Sequence, residues 1–409
     1  MRKVTFAILL GVTLFCTVNV GFWMGSMSQI KTDTAVLKYR FETMLTTTSQ
    51  VSESSLSSLN ASVELVSLLS NVSVTLRNII SNEAAYWNKK QHEILSQMDK
   101  DEFKNAGAQC SKETVSTVEG FNSYPEQFKE FVYYSHCRQV PIIINQPTKC
   151  KLNPPFLLLA IKSEPYSFVR RQAVRETWGK EMVYDGLQVH TVFILGSSFN
   201  EFEPNMQSLL NCESETYKDI LQWDFKDSFF NLTLKENLLL KWIIDFCPDV
   251  AFVFKGDDDI FANPLQIVRH LYSLDKKKAK NLYMGQVVTY ASPMRERKSK
   301  YYIPDSFYKG GYPPYAAGAG FVFSGHLARW MYLVSYYIPF FPIDDVYTGW
   351  IMIALGVPAQ LHPQFQTFDI AEKDRLNPCV HKQLFIVHQR SPQHNKQLWK
   401  AIQDPGLQC

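Results

Sequence analysis

Residues 251–261, AFVFKGDDDIF, leave few folds open to this chain. A run of β-forming apolar residues halts at a glycine and three consecutive carboxylates, and apolar residues then resume. Such a run reads as a buried strand of an α/β sheet with the acids at its C-terminal end. Open α/β sheets bind their ligands at that edge. Three adjacent carboxylates repel one another, and a cation among them relieves the repulsion. Aspartate oxygens are hard ligands suited to Mg²⁺ or Mn²⁺, and Mg²⁺ combines one or two carboxylates with substrate phosphates. A bare DDD also reads as a solvated acidic turn. The strand before the acids and the Asn263-Pro264 helix start after them favour a metal–diphosphate site.

The N-terminus and the cysteines speak to compartment. Arg2 and Lys3 precede an uncharged apolar stretch, residues 4–27, long enough to span a bilayer. The basic residues lie on its N-terminal side, so the positive-inside rule leaves residues 1–3 as a cytoplasmic tail and sends the rest across. A cleaved signal peptide is the alternative, although no convincing small-x-small cleavage site is present. Outside Cys16 there are seven cysteines and no CxxC pair, which points to disulfides rather than a zinc cluster. Seven is odd, and Cys212, followed by polar and charged residues, is the expected free thiol. Sequons at Asn60, Asn71 and Asn231 fit secretory passage. A net charge of +3 on 42 basic and 39 acidic residues gives no sign of a nucleic-acid partner.

Residues 28–82 read as a stem, rich in Ser, Thr and Asn. Within it Leu56, Leu59, Val63, Val66, Leu69, Leu76 and Ile80 recur at three- and four-residue spacing, which predicts an amphipathic helix that pairs with a second copy. The two sequons there argue against its full burial. Residues 83–153 have no repeating βα pattern and read as a segment wrapped on the catalytic domain, residues 154–409. In that domain strands are expected near 156–161, 189–195, 219–223, 251–254 and 282–288, with helices over 170–179, 231–246 and 264–274. Alternation of this length implies a mostly parallel sheet covered on both faces. Residues 310–320, GGYPPYAAGAG, read as a turn-rich loop whose small residues admit a ligand and whose rings stack on sugar faces. Ile343-Asp344-Asp345 then opens a helix, and capping explains one of the two acids better than both. His388 follows a last strand-like run and is a structural residue or, near a metal, a ligand.

Together RRQAVRETWG (170–179), VFILG (192–196), DSFFNLTLK (227–235), FKGDDDIFAN (254–263), YPPYAAGAGFVFS (312–324) and IDDVYTG (343–349) resemble the β-1,3-glycosyltransferases of glycosyltransferase family thirty-one. The likeness runs from about Pro154 to Cys409. AAYWNKKQ (84–91), GFNSYPEQFKEF (120–131) and KYYIPDSFY (300–308) are closest to the members that extend poly-N-acetyllactosamine by β-1,3-linked GlcNAc. The resemblance implies a GT-A fold, a UDP-GlcNAc donor, a Mn²⁺ or Mg²⁺ cofactor and a galactose-terminated glycan acceptor on glycoprotein or glycolipid. It also implies Golgi residence with type II topology and inversion at the anomeric carbon.

By the family pattern Asp259 and His388 ligate the metal, and Asp257 and Asp258 serve the ribose and metal-bound water. Arg171 and Arg175 are expected on the donor phosphates, with structural ion pairs as the alternative. Asp345 is the expected base for the acceptor 3-hydroxyl. Asp344, in place of the commoner Glu, is expected on acceptor hydroxyls together with Tyr315, Gly318 and Gly320. Ala319 stands where a close relative carries Gly, which tightens the loop. Two other functions stay open: a β-1,3-galactosyltransferase using UDP-Gal, and a non-catalytic lectin-like protein on the same fold. A two-metal phosphoesterase lacks the extra His and Asp clusters such a site needs.

Overall fold

The computed structural model describes residues 57–99, 112, 118–198 and 205–409. The membrane anchor expected at 4–27 and the start of the stem lie outside them. Among the described residues no helix is long and apolar enough to cross a membrane. The periodic stretch of the stem is helical, as α1 (Ser57–Ile79). Asn60 and Asn71 both lie within α1, and Asn71 is exposed.

The wrapping segment supplies α2 (Tyr86–Asp99), α3 (Glu126–Tyr134) and β1 (Ile142–Ile144). Strands and helices then alternate as β2 (Leu157–Lys162), α4 (Phe168–Glu176), β3 (Met182–Tyr184), β4 (Leu187–Ser197), α5 (Met206–Tyr217), β5 (Ile220–Lys226), α6 (Leu232–Phe246) and β6 (Phe252–Asp257). After β6 come β7 (Ile260–Ala262), α7 (Pro264–Ser273), α8 (Lys276–Lys280), β8 (Tyr283–Val288), β9 (Tyr315–Ser324), α9 (Leu327–Ser335) and α10 (Asp344–Ala354). The C-terminal part adds β10 (Gln360–Leu361), β11 (Phe365–Gln366), α11 (Pro378–Gln383), β12 (Ile386–His388) and α12 (Pro392–Ile402).

Local chemistry fixes several of these boundaries. Helix α7 begins where the Asn263 side chain accepts from the Gln266 amide and Pro264 takes the first helical position. Ser391 and Pro392 start α12 in the same way. Past α4, the Gly179 amide donates to the Val174 carbonyl, and a Cβ at Gly179 would lie 2.3 Å from Val174 Cγ1. Only glycine closes this helix so tightly.

The main sheet runs in the order β1-β5-β4-β2-β6-β9-β8-β10, with β3 beside β4. Its central block β5-β4-β2-β6 is parallel. The expectation of a mostly parallel sheet is corrected on either side of that block: β1 joins β5, and β9 joins β6 and β8, in antiparallel fashion. All six residues of β2 are buried, so both sheet faces are covered. One core draws on α4, α7 and α12 against Leu157, Leu159, Ile161, Phe252 and Phe254. Across the sheet α9 and α10 pack with α6, and α10 lies against β9.

GGYPPYAAGAG is not all loop. From Tyr315 it is the first part of β9, paired to β6 and β8. A smaller sheet, β11-β12-β7, takes over where the chain leaves β6. Disulfides join Cys150 to Cys247 and Cys379 to Cys409, Cys137 is also disulfide-bonded, and Cys212 is free and exposed as expected.

Candidate active site

The chain switches sheets at the acids, and this switch builds the site. β6 ends at Asp257, Asp258 and Asp259 form the turn, and β7 departs to pair with β12. The antiparallel register sets His388 opposite Ile260, immediately beside Asp259. His388 Nε2 lies 3.4 Å from Asp259 Oδ1. Its Nδ1 is 3.1 Å from the Thr367 carbonyl. A carbonyl can only accept, so Nδ1 carries a proton and Nε2 is the ring nitrogen that faces the acids.

Ligand atoms of Asp257, Asp259 and His388 all lie within 4.8 Å of one another. Among the described residues Asp259 Oδ1 is buried with no hydrogen-bond partner. Two hard carboxylates, an imidazole and an orphaned oxygen fit a divalent cation. Asp257 was expected on the donor; it stands instead in this ligand group, with its Oδ1 2.9 Å from Lys162 Nζ. Asp258 turns away, accepting from Ser163 Oγ at 2.7 Å and from Arg170 Nη1 at 3.1 Å. Burial pushes the Asp258 carboxyl up to about 6, against both of these contacts.

Asp345 lines a cleft of about 750 Å³ that is also lined by all three acids and His388. It sits in the first turn of α10, where its Oδ1 accepts from the Val346 amide at 2.9 Å. Its Oδ2 accepts from the Gly318 amide of β9 at 3.0 Å. A Cβ at Gly318 would come within 3.2 Å of that same oxygen, so the missing side chain lets strand and base approach. Burial first, and the neighbouring Asp344 charge second, push the Asp345 carboxyl up to about 7. A carboxylate tuned this high is a competent proton acceptor near neutrality.

Four expected contacts are corrected. Arg171 is fully buried and pairs with Glu213 through Nε and Nη2 at 2.8 and 2.7 Å. Arg175 binds Glu213 and Asp219. Arg171 locks α4 onto α5, Arg175 ties it both to α5 and to Asp219 just before β5, and neither lines the cleft. Arg170, one residue earlier, does. Gly320 pairs with Gly256 inside the sheet, and its Cβ would meet Ile386 Cδ1 at 2.8 Å, so it serves packing rather than an acceptor. Asp344 reaches the cleft, but its Oδ2 is taken by Lys255 at 2.8 Å and Lys162 at 3.3 Å. Burial opposes its charge, yet the two lysines hold it well below the usual carboxylate range. Its Oδ2 therefore anchors α10 to β2 and β6 and is not free to hold acceptor hydroxyls.

Tyr315 and Gly318 do line the cleft, with Tyr312, Tyr301 and Phe229 extending the aromatic side. Asn231 lies half-exposed just before α6, its Nδ2 donating to the Lys226 carbonyl. Lys162, Lys255 and Glu236 escaped the sequence reading. Lys255 is buried between Asp344 and Glu236, and Glu236 also accepts from Thr348 of α10. A signal was present: a lysine inside an apolar strand needs a buried acid as partner.

Residues 169–363 match the family model described as Galactosyltransferase. Over 342 residues the chain is 44% identical to N-acetyllactosaminide beta-1,3-N-acetylglucosaminyltransferase 2 of Homo sapiens, covering 80% of this chain and 86% of that protein. It is 40% identical to UDP-GlcNAc:betaGal beta-1,3-N-acetylglucosaminyltransferase 8 of Homo sapiens, over 84% of this chain and 87% of that one. With a relative numbered 7 in the same naming, from Mus musculus, it shares 42% identity over 71% and 74% of the two chains. The acids, the histidine and Asp345 thus sit in a chain that belongs to the galactosyltransferase family of β-1,3-glycosyltransferases, glycosyltransferase family thirty-one.

Proposed function

We propose that this protein is an inverting β-1,3-N-acetylglucosaminyltransferase that extends N-acetyllactosamine chains. It moves GlcNAc from UDP-GlcNAc to the 3-hydroxyl of a terminal β-galactose, on a GT-A-type domain held in the Golgi lumen by residues 4–27. One observation carries the reading: Asp345, raised to about 7, lines the same cleft as a metal-type Asp/His cluster. The names of the relatives support the choice of sugar and acceptor. The basic residues before the apolar N-terminal stretch and the disulfides support the topology.

Asp259 and His388, with Asp257, would hold the cation, Mn²⁺ or Mg²⁺, which when bound supplies charge stabilisation for the departing diphosphate. Arg170 stands beside this cluster with a half-exposed guanidinium that can fork onto a phosphate. Asp258, outside that ligand group and held by Ser163 and Arg170, would serve the donor ribose. Asp345 takes the proton of the acceptor hydroxyl as that oxygen attacks the anomeric carbon from the opposite face. The Gly318 and Val346 amides fix both carboxylate oxygens before substrate arrives, so little reorganisation is needed during the reaction. Tyr315 and its aromatic neighbours form the acceptor wall.

The test offers the purified full chain UDP-GlcNAc and UDP-Gal separately with Mn²⁺. Acceptors are N-acetyllactosamine and a terminal GlcNAc glycoside. GlcNAc transfer to the galactoside, abolished by chelator, supports the proposal. Galactose transfer to the GlcNAc glycoside moves the protein to the galactosyl branch of the family. UDP binding without transfer from either donor leaves a lectin-like role.

A further inference from the structure

Three sequence blocks lie outside the main catalytic motifs: 84–91, 120–131 and 300–308. The first two also precede the matched family region, which begins at residue 169. In the fold all three meet on one loop. The first-turn amides of α2, which have no partner inside the helix, donate outward to it: Tyr86 to the Ser306 carbonyl at 2.9 Å and Trp87 to Phe307 at 2.8 Å. Asn88 grips Lys309 reciprocally, its Nδ2 donating to the Lys309 carbonyl and its Oδ1 accepting from the Lys309 amide. From the second block, Tyr124 Oη lies 2.7 Å from Ser306 Oγ, and Phe128 packs edge-on to Phe307.

The ends of that loop reach the cleft, through Tyr301 and Tyr312. Trp87 links the loop to the helix carrying the base. Its indole is 1% exposed, stacks on Trp350 of α10 at 4.7 Å, and stands edge-on to Tyr308 at 5.4 Å. Tyr312 stacks on Tyr308 and meets Trp350 edge-on. The buried Tyr312 hydroxyl has no hydrogen-bond partner among the described residues. Such a group is costly unless a ligand satisfies it. The Asp257–Asp259–His388 side of the cleft receives none of the contacts that α2 makes with this loop.

We propose that Trp87 and Asn88 are positioning residues for acceptor selection. They hold the 301–312 loop against α10, so that the Tyr312 hydroxyl is presented to a hydroxyl of the acceptor sugar beside Asp345. The N-terminal wrapping segment thereby sets acceptor preference while the metal side handles the donor. This rests on the acceptor assignment proposed above. A wild-type chain that transfers no sugar defeats that assignment, whereas the variants below defeat this inference alone.

The experiment compares Trp87→Phe, Asn88→Ala and Tyr312→Phe in the full chain with Trp242→Phe, an equally buried indole outside the cleft. Initial rates give KM for the N-acetyllactosamine acceptor, and calorimetry gives UDP affinity with Mn²⁺. We expect acceptor KM to rise about ten-fold for the first three variants, by misplacement or loss of one contact. UDP affinity should stay unchanged, and Trp242→Phe should leave both constants alone. If Trp87→Phe fails to fold, Asn88→Ala carries the test, because it removes both hydrogen bonds to Lys309, along with those to Ser81, and little volume. Unchanged acceptor KM in Asn88→Ala and Tyr312→Phe overturns the proposal. So does a loss of UDP affinity in step with the rise in acceptor KM, which marks general loosening.

Discussion

Replacing Asp345 by Asn separates the chemistry of this cleft from its architecture. The wild-type carboxylate accepts one amide hydrogen on each oxygen, from Gly318 and Val346. The amide keeps one of these bonds and sets its NH₂ against the other N–H, a loss of about 1 kcal/mol. Removal of a general base slows turnover by about 10²- to 10⁴-fold. We therefore expect kcat to fall into that range while calorimetric UDP affinity with Mn²⁺ stays at the wild-type value. The wild-type pH profile supplies an independent reading of the same group. Asp345 accepts a proton only when ionised, and its carboxyl is raised to about 7 from 3.8. The ionised fraction then drops to about one-tenth at pH 6, so kcat/KM falls nearly ten-fold from its plateau.

Stability runs the other way. A carboxyl raised on folding favours the fold while protonated and opposes it as pH climbs from about 4 through about 7. The Asn variant should thus gain thermal stability on the wild type between pH 4 and 8, the gap closing in acid. Near-normal turnover of the Asn variant, or a flat wild-type profile from pH 5.5 to 8.5, would falsify the base assignment.

The remaining expectations concern the donor side and the frame. Asp259→Ala should abolish the metal-dependent part of UDP binding; equal affinity with and without Mn²⁺ in the wild type would remove its ligand role. Arg170→Ala should raise donor KM with little change in melting temperature. Arg171→Met should cost about 3–5 kcal/mol by leaving Glu213 buried without its principal partner, and the surviving folded enzyme should keep its donor KM. Opening Cys150–Cys247, which closes a separation of 97 residues, should cost about 2–5 kcal/mol in denaturant unfolding. A thiol reagent should label native protein at Cys212, leaving the bridged cysteines unmodified.

The parallel half of the sheet was legible because its strands carry buried apolar runs, such as Leu157–Ile161 and Phe252–Phe254. The antiparallel half was not. β9 needs Gly318 and Gly320 to let Asp345 and Ile386 approach, and these small residues carry the composition of a loop. Asp259, His388 and Asp345 were singled out by the family resemblance, and the fold brings all three to the lining of one cleft. The arginines were confused because Arg170, Arg171 and Arg175 belong to one basic helix, while Glu213 and Asp219, which claim two of them, lie about forty residues away. Asp344 was misjudged for the same reason: Lys162 and Lys255 reach it from separate strands.

The pairing of β12 with β7 has a consequence for synthesis. The carboxylates have been made once the chain reaches residue 259, but the imidazole arrives only with residue 388. A nascent chain that has folded its parallel core still has a cation site lacking its nitrogen donor. A frameshift or early stop after β9 would leave a chain with most of its sheet and an incomplete metal site. The Asp/His cluster is therefore complete only once β12 has been made and has paired with β7.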